Sequence, residues 1–170
     1  MGPLNKSGIG VILVFAVLAL WPVSHRALPP QILVGAPRVI DGDTLALGDQ
    51  RIRLAGIDAP ERTQSCVLAD GRDWPCGAEA TSALVRFLAG RPIACEARGH
   101  DPYDRVVALC RADGSDLGAW MVRSGWAVAD HGTAFGYTEA ENNARFLRLG
   151  LWAGPFERPA DWRRAPAVPL

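Results

Sequence analysis

Three short segments carry side chains that could act together on a phosphate. "DGDT" at 41–44 places Asp43 at the start of an apolar strand. "RIRLAGIDAPE" at 51–61 supplies Arg53, Asp58 and Glu61, and "DPYDR" at 101–105 supplies Asp101, Tyr103 and Arg105. Singly, each is a turn: DGD suits a hairpin, DAPE has proline at a corner, and DPYDR is another acidic turn. Together they offer chemistry. Two aspartates and a glutamate present the hard oxygen ligands that calcium takes. Two arginines can each fork onto a phosphate. A metal beside an arginine clamp is what phosphoryl transfer needs, because negative charge grows on the phosphate oxygens in the transition state.

Such groups need a rigid carrier, and the hydrophobic pattern supplies one. "APRVI" runs into the Asp-Gly turn, "DTLAL" alternates at Leu45 and Leu47, and "RIRLAGI" sets Arg51 and Arg53 on the face opposite Ile52 and Leu54. Helical spacing follows in "GAEATSALVRFLAG", with Ala80, Leu84, Phe87 and Leu88 on one side and Gly90 as the stop. Two strands then carry Cys95 and Cys110. "SDLGAWMVRSG" lines up Leu117, Trp120 and Met121, and "TEAENNARFLRLG" lines up Ala140, Ala144 and Leu147 before Gly150. Three strands, a helix, two strands and two helices predict an α+β, mainly β, fold: a five-stranded OB-fold-like Greek-key barrel with three packed helices. Such a barrel serves many ligands, so the fold alone assigns no function.

The chain divides into three parts. Residues 1–30 contain an uncharged apolar run at 9–23, the length of a signal-peptide core and short for a membrane span. Ala27 could close a cleavage site, although His25 fits it poorly. A cleaved signal and an uncleaved membrane anchor both remain open, and a buried N-terminal helix is the plain alternative. Export, periplasmic or extracellular, is the expectation from either of the first two. Residues 31–153 form the domain, and the Pro-rich, aromatic tail at 154–170 is expected to wrap the surface without forming an element. The 18 basic and 18 acidic residues balance, so no chain-wide basic field grips nucleic acid. No protein partner is implied, and a monomer is expected.

Export changes how Cys66, Cys76, Cys95 and Cys110 read. With no CxxC pair, zinc is disfavoured, and the four allow three disulfide pairings. If the two later strands form a hairpin with 95 facing 110, then 97 faces 108 and 99 faces 106, which closes neatly on "GHDPYD". That register favours Cys95–Cys110 with Cys66–Cys76. By loop-closure entropy the second bridge stabilises by roughly 2–3 kcal/mol.

The combination and order of "VIDGDT", "RIRLAGIDAPE", "GAEA", "DPYDR", "MVRSGWA" and "GLW" resembles the staphylococcal nuclease (thermonuclease) family over residues 38–152. The resemblance implies a five-stranded OB-like barrel with three helices. It implies that Asp43, Asp58 and the carbonyl of Ala59 bind Ca2+. It further implies that Glu61 positions or deprotonates the attacking water, that Arg53 and Arg105 hold the scissile phosphate, and that Tyr103 stacks on the substrate. There are departures. Ala59 stands where the best-known member has threonine, which leaves a carbonyl ligand intact. Asp104 replaces the glycine that usually precedes the second arginine, adding a negative charge and a less favourable backbone. "DHGTAFGY" lacks the family's base-stacking tyrosines; Tyr137 is a candidate substitute. His100 and His131 match no role and read as solvated loop residues, and the tryptophans read as core or tail packing.

The resulting expectation is an exported calcium-dependent nuclease that hydrolyses DNA or RNA and leaves 3′-phosphate ends. The alternative is a non-catalytic OB-fold module that binds single strands or a protein. Loss of Glu61 or of either arginine would have favoured it, and none is lost. A structural domain associated with envelope polysaccharide has no positive support in the sequence.

Overall fold

The computed structural model describes residues 30–133 and 135–165, together with residue 2. The apolar run at 9–23, and with it the choice between signal and anchor, lies outside the described residues, as does the tail beyond residue 165.

In chain order the strands are β1 (Ile32–Gly35), β2 (Arg38–Val39), β3 (Thr44–Leu47), β4 (Gln50–Leu54), β5 (Ile57–Asp58), β6 (Cys66–Val67) and β7 (Asp73–Trp74). Helix α1 (Cys76–Leu88) leads to β8 (Ile93–His100), β9 (Val106–Ala112) and β10 (Ser115–Asp116). Then come α2 (Leu117–Arg123), β11 (Val128–Ala129), α3 (Thr138–Phe146), a 3-10 turn at Gly150–Ala153 and α4 (Pro159–Arg164). The main sheet runs β1-β8-β9-β4-β3-β2, with β10 also on β9. All its pairings are antiparallel except β4 with β9. This is the α+β, OB-like plan that the sequence pattern predicts.

Alternation explains which face is buried. Leu45 pairs with Ile52 across β3 and β4, and both are fully buried with Leu54, Ile93 and Ala108. Ala80, Leu84 and Leu88 of α1 and Leu117, Met121 and Val122 of α2 close the other side of this core. Helix α1 stops where Ala89 turns left-handed just before Gly90, and Asp116 caps α2 by accepting from the Ala119 amide at 2.9 Å.

Both disulfides are paired as expected, Cys66–Cys76 and Cys95–Cys110. Cys95 faces Cys110 and Ala97 faces Ala108, but a bulge follows, so Gly99 faces Val107 and His100 takes Val106. Gly99 holds φ 149°, a conformation a side chain would resist, which is how the extra residue is accommodated. Three further differences have plain causes. β1 is an additional edge strand on β8 with Ile32 and Val34 exposed; its sequence, Ile-Leu-Val-Gly, does not alternate in polarity as its burial does, so it left no period-two signal. Leu147, aligned with the buried face of α3 by spacing, lies beyond the helix and is exposed. The tail does form an element, α4, with Pro159 at its first turn.

Candidate active site

The carboxylates sit where strands end. Asp41 makes the turn: its Oδ1 accepts from the amides of Asp43 (3.0 Å) and Thr44 (2.7 Å). That turn packs so closely on the next loop that a Cβ at Gly42 would lie 2.7 Å from the Cβ of Ala59. The close approach lets Asp43 reach across: its Oδ2 accepts from the Ala59 amide at 2.8 Å, and its Oδ1 from the Thr44 hydroxyl at 3.1 Å. Thr44 faces Arg53 across the β3–β4 ladder. Arg53 thus points at the acids, pairing through Nη1 with Asp43 Oδ2 and through Nη2 with Asp58 Oδ1 at 3.1 Å. Burial pushes the Asp43 carboxyl up to about 7, against the pull of Arg53 and the Ala59 amide.

Arg105 arrives from the start of β9. Asp101 organises its loop: Oδ1 accepts from the amides of Tyr103 (2.9 Å) and Arg105 (3.0 Å), and Oδ2 from Arg105 Nε at 2.7 Å. Partial burial raises the Asp101 carboxyl, but these hydrogen bonds and the guanidinium outweigh it and hold it below the usual value. Arg105 Nη1 also donates to the Thr44 hydroxyl at 3.2 Å, tying β9 to β3. Tyr103 is exposed, with the Arg105 guanidinium 5.6 Å from its ring centroid. Asp104 takes φ 59°, the left-handed conformation that makes glycine the favoured residue there.

Glu61 is placed by its neighbours. Its amide donates to Gln64 Oε1 at 3.3 Å, and its carbonyl accepts from the Gln64 amide at 2.7 Å. Helix α1 begins directly behind, where a Cβ at Gly77 would fall 1.7 Å from the Glu61 carbonyl oxygen. Only glycine permits that contact.

An open pocket of about 390 Å³ joins Asp41, Asp43, Arg53, Glu61, Tyr103 and Arg105. Arg51 and Arg163 line it too, and the sequence reading missed the second of these, which comes from α4. Arg163 Nη2 donates to both oxygens of Asp58 at 3.0 Å, and its Nη1 to Glu61 Oε1 at 2.9 Å. Nothing in local spacing announces a partner 102 positions from Glu61. The only available hint was an Arg-Arg pair ending an aromatic segment.

By sequence, Tyr137 is an open candidate, and His131 is expected to be a solvated loop residue. Tyr137 does not offer a stacking face at this pocket; its hydroxyl donates to Asp116 at 3.0 Å and its ring packs on the core. His131 is not merely solvated, since its Nε2 lies 2.9 Å from Oε2 of the buried Glu141. Trp126 and Trp152 are packing residues as expected, edge-on to Trp74 and Phe156 respectively.

Among the described residues no cluster of three or more His, Cys, Asp or Glu is drawn together as a metal cage. The donor chemistry nonetheless fits calcium: Asp43 and Asp58, both buried, converge on the one guanidinium of Arg53 and so bring hard, anionic oxygens together.

A family model described as staphylococcal nuclease homologue matches residues 51–154, more than half of the chain. The chain belongs to that family. Within it, the chain is 41% identical over 140 residues to the succinoglycan biosynthesis protein ExoI of Rhizobium meliloti (strain 1021), covering 81% of this chain and 73% of ExoI. An uncharacterized endonuclease of Haemophilus influenzae is 28% identical over 166 residues, covering 92% of this chain and 87% of its own length. An uncharacterized endonuclease of Escherichia coli is 31% identical over 140 residues, covering 78% and 82%. The match of the nuclease homologue family begins at Arg51, so it takes in Arg53, Asp58, Glu61 and Arg105 but not Asp43.

Proposed function

We propose that the protein is a calcium-dependent nuclease that hydrolyses phosphodiester bonds of DNA or RNA and leaves 3′-phosphate ends. The observation that carries this reading is the convergence of Arg53, Arg105, Glu61 and Asp43 on one open pocket. Family membership and relatives named as endonucleases support it.

Asp43, Asp58 and the Ala59 carbonyl would hold the calcium ion, which supplies positive charge to the phosphate oxygens and to nearby water. Arg53 and Arg105 grip the phosphate from two sides, and their charges meet the negative charge that grows during attack. Glu61 accepts a hydrogen bond from the attacking water and takes its proton. The water oxygen bonds to phosphorus, the P–O5′ bond breaks, and the leaving oxygen takes a proton from solvent. Tyr103 at the rim offers an exposed ring to a base of any identity.

The ExoI relative is named for succinoglycan biosynthesis, but Arg53, Glu61 and Arg105 on one pocket are groups suited to phosphodiester cleavage, and they favour the nuclease reading. Incubating the full chain with single-stranded DNA or RNA, with calcium or chelator, tests the reading. Calcium-dependent cleavage to 3′-phosphate ends is expected, and Asp43→Ala or Asp58→Ala should abolish it while circular dichroism stays native. Full activity in chelator, or wild-type calcium dependence in either variant, refutes the assignment.

A further inference from the structure

The tail is bolted to the site rather than laid over it. Buried Gln64, which holds the Glu61 amide, donates through Nε2 to the Glu157 carbonyl at 2.8 Å. The Val67 amide donates to the Pro155 carbonyl at 3.1 Å. Trp152 and Phe156 pack on a small core built around Cys66, Cys76, Val128 and Leu151. This fixed stretch ends at Pro159, which is buried, whereas the Arg163 side chain at the far end of α4 remains 41% exposed.

What the free end does is specific. Arg163 Nη2 sits 3.0 Å from each oxygen of Asp58, and Arg53 Nη2 takes the same Oδ1 at 3.1 Å. Asp58 therefore offers its lone pairs to two guanidinium groups. A calcium ion needs a carboxylate oxygen at about 2.3–2.6 Å; Arg53 takes only Oδ1, and it is Arg163 that covers Oδ2 as well and leaves neither oxygen free. We propose that Arg163 is a built-in competitor for calcium: it closes the Asp58–Glu61 edge in the metal-free protein and must leave Asp58 before the ion binds. The inference rests on the calcium reading above. Because the guanidinium is partly in water, it can withdraw without disturbing the anchored tail. Binding linkage then requires reciprocity: whatever calcium affinity Arg163 removes, calcium removes from the docking of α4.

The test is calorimetric titration of calcium into the full chain and into Arg163→Gln and Arg164→Gln, in the absence of substrate. Arg163→Gln should bind calcium roughly three- to tenfold more tightly, at the low end of site-to-site coupling because the displaced pair is partly solvated. Arg164→Gln removes the same charge one residue away and should stay within about twofold, far from that gain. Amide exchange at residues 160–165 should rise on adding calcium to the wild type and already be fast in Arg163→Gln. Equal or weaker binding in Arg163→Gln, an equal gain in Arg164→Gln, or protection of α4 by calcium overturns this inference alone. Absence of calcium binding in all three proteins overturns the calcium reading and the inference with it.

Discussion

The site is assembled from two regions that are held in different ways. Asp43, Arg53 and Arg105 belong to the main sheet and its turns, where hydrogen bonds join neighbouring strands: Asp43 to Ala59, Arg105 to Thr44. Moving any of them means moving the barrel. Arg163 belongs to a six-residue helix whose anchors, the Gln64–Glu157 bond and the small core around Cys66–Cys76, lie before it in the chain. Its hold on the site is a partly solvated ion pair, the kind that is worth little on its own. The lesson is that the groups assigned to the phosphate are rigidly placed, while the cation on the metal edge is placed by a tether. Rigid donors stabilise a transition state without reorganising; a tethered one can be exchanged for an ion.

The comparison breaks most visibly at Arg105. Arg105→Ala is expected to lower kcat by about 10²–10³ with little change in melting temperature, the usual cost of losing one preorganised donor. Arg163→Ala, assayed beside it at limiting calcium, should raise activity. A loss within about threefold for Arg105→Ala, well short of that cost, would remove it from the phosphate clamp.

Next in size is the tether. Gln64→Leu strands the Glu157 carbonyl and the Glu61 amide, and should cost about 1–3 kcal/mol in denaturant unfolding. Limited proteolysis should then cut the tail beyond residue 153 before the barrel. A variant whose tail resists as well as the wild type's would place the anchor elsewhere.

Asp104→Gly sharpens the barrel side. At φ 59° glycine relieves backbone strain, and the net gain in stability should be about 0.5–1 kcal/mol once the looser unfolded chain is counted. Activity should rise more at low salt than at high, since the lost carboxylate is screened from Arg105 by ions. A salt-independent rise would assign the effect to the backbone alone.

The smallest effect is in pH. Asp101 is held below its ordinary value of 3.8 in the folded protein, so its contribution is complete above that value and is lost as pH falls through the lower, folded one. The Arg105 Nε proton, followed by NMR, should therefore keep its hydrogen-bonded shift down to about pH 4, near the ordinary Asp value. Loss of that signal between pH 5 and 7 would show that Asp101 does not hold the loop.

How far these features were legible differs along the chain for physical reasons. Alternation of Arg51 and Arg53 with Ile52 and Leu54 determined which face carries the guanidinium groups, because the period of a strand is two. The cysteine register followed from a hairpin that pairs Cys95 with Cys110. The left-handed Asp104 was foreseeable from the glycine usual at that position. The bulge at Gly99 was not, because one extra residue leaves composition and alternation almost unchanged. Nor was the contact of His131 with Glu141, since a buried acid within a helix looks like an exposed one in sequence. Above all, the sequence by itself specified the barrel and its charged turns through local periodicity and turn chemistry. Only the tertiary structure decided that Arg163 meets Asp58 and Glu61, because that meeting depends on how Gln64 and the Cys66–Cys76 core fold the tail back across the site.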